Sequence, residues 1–137
     1  MNPTAERRFR IVFVLAAIYD IGLGLVFTFF STPAFELLGM AEEAPVGGYV
    51  PLLGSFTLVL GIAYALIARG DLYRNRDLVL VGTLYKLAYS AIAVFFVLID
   101  QVPHGVFVVL GVIDIVFLVL MSQCWLALRR APDRASS

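Results

Sequence analysis

Four long apolar runs, roughly Phe9 to Phe30, Pro51 to Ala68, Leu78 to Ile99 and Gly105 to Leu128, decide what this chain can fold into. At 1.5 Å per residue even the shortest reaches about 27 Å as a helix, close to the ~30 Å hydrocarbon thickness of a bilayer. In lipid every backbone polar group must be satisfied within the segment, so each run predicts a helix. The segments of about ten residues with alternating hydrophobicity that mark a membrane barrel are absent from the pattern. Composition agrees: 61% of the residues are hydrophobic and 15% charged, against roughly 45–50% apolar and 25% charged in soluble domains. The expectation is an all-α, integral membrane four-helix bundle made of two helical hairpins. It forms one transmembrane domain over residues 1–137.

Ten Lys and Arg balance ten Asp and Glu, so no basic field is available to recruit nucleic acid. The cations are nevertheless sorted. Arg7, Arg8 and Arg10 precede the first span, Arg69, Arg74 and Arg76 lie in the second connection, and Arg129, Arg130 and Arg134 follow the last span. The positive-inside rule then puts both termini and the Arg69–Asp77 loop in the cytoplasm. The other face carries Glu36, Glu42, Glu43, Asp100 and His104. The arginines would also meet anionic lipid. The first span outlasts a signal sequence and contains Asp20, so it reads as an uncleaved anchor.

Punctuation completes the outline. Pro51 near a helix start, Asp77 as an N-cap and Gly70 past a helix end suit helical boundaries. Pro33 and Gly39 bracket a short interfacial helix at about 33–38, whose Phe35, Leu37 and Leu38 would cap the bundle. Residues 42–48 read as the longest loop and 131–137 as a disordered tail. Cys124 is the single cysteine and His104 the single histidine. Disulfide relay chemistry, bis-histidine haem and a histidine-rich metal site are therefore excluded within one chain. No cofactor and no metal is expected.

Three ionisable residues lie inside the spans: Asp20, Lys86 and Asp114. Insertion scales put each at about +2.5 to +3.5 kcal/mol near a helix centre, on the order of 8–10 kcal/mol for three unpaired charges. Counted along the helices, Asp20 lies roughly 16 Å deep and Lys86 roughly 12 Å from the arginine-rich side, and Asp114 about 14 Å from the other. All three fall near one plane, which predicts an inward-facing Asp–Lys–Asp cluster. Fully ionised, it carries net −1 and would draw a proton or cation. Tyr19, Tyr85, Tyr89, Ser90, Thr57 and Tyr64 supply hydroxyls around it. The competing reading is a structural ion network that fixes helix register. Membrane polar contacts average only ~0.6 kcal/mol, with a maximum near 1.7, so charges kept purely as glue are poorly rewarded.

Small residues predict close helix packing: Gly54, Leu58, Gly61, Ala65 and Ala68 on the second span, and Gly82, Lys86, Ser90 and Ala93 on the third. Gly22 and Gly24 follow Asp20 and either loosen the first span or pack it. A gapless internal match sets Ile18 to Phe30 over Leu84 to Phe96, and Leu53 to Thr57 over Leu110 to Asp114. It superposes Asp20 on Lys86 and suggests two related hairpins.

The set Ile18-Tyr19-Asp20-Ile21-Gly22, Pro33, Leu38-Gly39, Tyr49 to Gly54 with Gly61 and Tyr64, Gly82-Thr83-Leu84-Tyr85-Lys86 and Ile113-Asp114 resembles small bacterial membrane proteins of the DoxX-like type, over about residues 10–128. The resemblance implies a four-helix membrane protein with accessory or partner roles, and it assigns no catalytic residue. The functional expectation is a non-enzymatic protein. Through the polar cluster it binds an apolar or amphiphilic small molecule, or a partner membrane protein or second copy. The alternative is a proton-coupled carrier resembling small multidrug exporters, which Lys86 and the fixed orientation disfavour. An acid–base enzyme using Asp20 and Asp114 comes third.

Overall fold

The computed structural model describes residues 2–40, 48–102 and 104–130. They form α1 (Pro3–Phe29), α2 (Ser31–Leu37), α3 (Tyr49–Arg69), α4 (Arg76–Leu98) and α5 (Gly105–Arg130), with no strand among the described residues. All but α2 are long and apolar enough to cross a membrane. Their outward flanks are greasy, with Ile18, Phe29, Leu53 and Leu98 each exposed by about two thirds or more, a surface that fits lipid rather than water. The chain is a multi-pass helical membrane protein.

Several boundaries differ from the hydropathy reading. α1 starts six residues before the apolar run, so Arg7, Arg8 and Arg10 ride on the helix. The cause is local: the Asn2 side chain accepts the Thr4 N–H at 3.0 Å, and Pro3 occupies the first helical position, where its missing N–H costs nothing. α2 starts at Ser31, which puts Pro33 at its third residue rather than its first. Phe35 is buried there, whereas Leu37 is 89% exposed. Asn75, not Asp77, holds the N-cap position of α4, and Asp77 lies in the first turn, where a carboxylate still complements the helix dipole. The loop expected at 42–48 lies, save for Gly48, outside the described residues, as does the tail 131–137.

Two helices end in the same way. After α2, Gly39 donates to Glu36 O and Met40 to Phe35 O. After α4, Asp100 donates to Val97 O and Gln101 to Phe96 O. Both are Schellman closures, which require left-handed backbone at the residue after the cap. Gly39 meets that need at φ 72°, but at the second site the residue is Asp100, at φ 54°. An L-residue there costs about 1–2 kcal/mol relative to glycine.

The chain divides into two compact units, residues 1–13 with 66–137 and residues 14–65. In the 14–65 unit, α1 and α3 run antiparallel in backbone contact. A Cβ on Gly24 would fall 2.5 Å from Leu58 N, one on Gly54 2.6 Å from Thr28 N, and one on Gly61 2.6 Å from Ile21 N. In the other unit, α4 and α5 pack along stripes of Val79, Gly82, Thr83, Lys86 and Ser90 against Gly111, Asp114, Met121, Cys124 and Leu128. Phe13, Ile67, Leu72 and Val79 are almost wholly enclosed at its arginine-rich end.

Arg10 fastens that end. Its Nη1 donates to Ala68 O at 2.9 Å and Gly70 O at 2.6 Å, closing carbonyls that α3 leaves open, while Nε and Nη2 hold Glu6. The Glu6–Arg10 pair is one-third exposed, so its share is small and the carbonyl bonds carry most of the effect. Arg10→Gln should cost about 1 kcal/mol. Thermal unfolding in detergent checks this, and an unchanged midpoint would show the clasp to be idle.

Candidate functional site

Lys86 lies midway along α4 and Asp114 a little over a third of the way along α5. Their side chains meet with Nζ 2.5 Å from Oδ1, and they are 1% and 5% exposed. The pairing follows from the stripes: each residue sits on its helix's buried seam, one turn from small neighbours, Gly82 and Ser90 on α4 and Gly111 on α5. Lys86 Nζ also stands 5.6 Å from the ring centroids of both Tyr85 and Phe117. Such quadrupoles stabilise an ammonium removed from water. Phe117, three residues beyond Asp114, completes the surroundings of the cation without any polar signal in the sequence to mark it.

One helical turn from Lys86 lies Ser90, 4% exposed, whose Oγ makes no hydrogen bond among the described residues. Thr83, Thr57 and Ser55 bond back to their own helices, to Val79 O, Leu53 O and Leu52 O, whereas the buried Thr28 hydroxyl on α1, like that of Ser90, makes no hydrogen bond among the described residues. Ser90 keeps both its donor and its acceptor capacity on a dry seam beside an ion pair. A buried hydroxyl in that condition has room in its bonding for one further partner, an ordered water or a ligand atom.

The remaining sequence candidates divide between the two units. Tyr85 and Tyr89 share α4 with the pair, and Tyr89 is 38% exposed. In the 14–65 unit, Asp20 is 1% exposed and Tyr64 fully enclosed, Tyr19 is half-buried, and the Thr57 hydroxyl is engaged by Leu53. Cys124 is a free thiol enclosed in the α4–α5 unit. Among the described residues, no group of three or more His, Cys, Asp or Glu side chains is placed to hold a metal ion.

Gly111 on α5 lies close to α4, where an added Cβ would lie 3.3 Å from Ala93 Cβ. Along the same half of α4 runs a groove of about 280 Å³, lined by Tyr89, Ala93, Phe96, Val97, Gln101 and Phe107 among others. The pattern of apolar residues alone hid this groove, because a helix facing lipid and a helix facing a cleft carry the same side chains. No family model, curated protein or solved structure matches the chain.

Proposed function

We propose that this chain is a non-enzymatic small membrane protein that holds an apolar or amphiphilic ligand, or a partner membrane protein, at its buried polar centre. The Lys86–Asp114 pair with the Ser90 hydroxyl one turn away is the observation that carries the reading. A paired ammonium and carboxylate are jointly neutral, so the centre favours an uncharged polar group with an apolar body over a free ion. The setting, a four-helix bundle of DoxX-like type in the bacterial inner membrane with cytoplasmic termini, belongs to the same proposal and rests on the arginine sorting and the quoted motifs. A proton-coupled carrier is the less favoured reading, since Asp114 is already engaged by an internal ammonium.

Native mass spectrometry of the protein released from mild detergent provides the test. The wild type should carry a neutral amphiphile that Ser90→Ala weakens by about five- to tenfold, the effect of one buried hydrogen bond. Since Ser90 makes no hydrogen bond among the described residues, the same variant should leave the melting temperature unchanged. An adduct indifferent to Ser90→Ala would defeat the proposal. So would proteoliposomes in which cationic compounds collapse a proton gradient, the behaviour of a carrier.

A further inference from the structure

Outside the polar centre, the feature with the clearest shape is the groove between the outer halves of α4 and α5. We infer that it is a phospholipid site, separate from the Lys86–Asp114 centre, that holds one acyl chain between Tyr89 and Gln101 and an amine headgroup at the Asp100 carboxylate.

Length is the first support. From Tyr89 to the end of α4 at Leu98 the helix runs about 14 Å, close to the ~15 Å of one leaflet's hydrocarbon. A lipid whose polar end sits at the membrane surface therefore lays one chain along the whole groove. Width is the second. A cavity of about 280 Å³ is roughly twice the ~150 Å³ that accommodates benzene, enough for much of a flexible chain. Chemistry is the third: Ala93, Phe96, Val97 and Phe107 give an apolar floor and walls, and Gln101 at the surface end is the one amide among them.

The α4 surface supports the same conclusion. Its buried residues stop at Ser90, and from Ala91 to Ile99 every residue is exposed except Ala93, which is intermediate. Phe95 and Phe96 stand edge to face at 5.6 Å within this stretch. A helix half uncovered on nearly all sides is held in lipid by what fills the space beside it.

Headgroup selection comes from Asp100. It occupies the left-handed position of the Schellman closure, immediately before Gln101, where glycine would be easier. Asp100 is exposed and directly precedes Gln101, which lines the groove, and no arginine or lysine lies in the described residues 91–102 or 104–110. An unneutralised carboxylate at that level favours the ammonium of an ethanolamine headgroup over an anionic glycerol headgroup.

The experiment places the full-length protein in nanodiscs of equal phosphatidylethanolamine and phosphatidylglycerol and weighs it by native mass spectrometry after gentle release. One retained lipid per chain is expected, with ethanolamine preferred by roughly two- to fivefold, as one exposed ion pair provides. Val97→Trp fills the groove and should remove the retained lipid. Asp100→Gly gives the turn its easiest residue, so the fold persists while the retained lipid loses its headgroup preference. The inference is overturned by equal lipid retention in Val97→Trp, by an ethanolamine preference that survives Asp100→Gly, or by a wild-type dimer free of lipid, which would assign the groove to a second copy.

Discussion

Replacing Lys86 alone with methionine should destabilise the protein by about 3–5 kcal/mol, the penalty for stranding a buried carboxylate whose ammonium has gone. Asp114 is 5% exposed at its side chain and is bonded to Nζ at 2.5 Å, so it cannot turn to water without opening the α4–α5 seam. Removing both charges is a different matter. In Lys86→Met with Asp114→Leu, two apolar side chains replace two desolvated ions, and folding should return to within about 1–2 kcal/mol of the wild type. The restored protein should still fail to retain the amphiphile. Unfolding titrations in bicelles read the stability and native mass spectrometry reads the ligand. If Lys86→Met costs under ~1 kcal/mol, the pair is not a buried element of the fold. If the double variant keeps the ligand, the pair is a structural clasp and nothing more.

Much of this was legible in the residues. Hydropathy located four spans because lipid leaves the backbone no other choice, and the expense of intramembrane charge pointed to Asp20, Lys86 and Asp114, all of which are buried, with Lys86 and Asp114 ion-paired. What escaped had weak or misleading sequence signals. The start of α1 was set by Asn2 and Pro3, a polar cap outside the apolar window, and hydropathy finds the membrane rather than the helix. Asp77 resembled an N-cap, but Asp71 organises the connection earlier by accepting the Tyr73 and Arg74 N–H groups, which carries the turn on to Asn75. Phe117 and the groove were invisible for another reason. Apolar residues facing a cation, a cleft or lipid look alike until the helices are placed.

Glycine substitutions on α1 and α3 should separate into two classes. Gly61→Ala and Gly24→Ala each drive a methyl group into backbone, 2.6 Å from Ile21 N and 2.5 Å from Leu58 N, below any tolerable separation, so α1 and α3 must move apart. Overpacking of this kind costs about 1–3 kcal/mol even where side chains can yield. Here the obstacle is main chain, which places both variants at or above the upper figure. Gly22→Ala is the control: nothing lies within 4 Å of its added Cβ, and the gain in helix propensity should stabilise the protein by up to about 1 kcal/mol. Gly111→Ala falls between, because its obstacle at 3.3 Å is the Cβ of Ala93, a side-chain atom that yields if α5 shifts slightly. Melting temperatures in one detergent should therefore rank Gly22→Ala above Gly111→Ala, with Gly61→Ala and Gly24→Ala far below. A flat series would mean that α1 and α3 are not in backbone contact in the membrane.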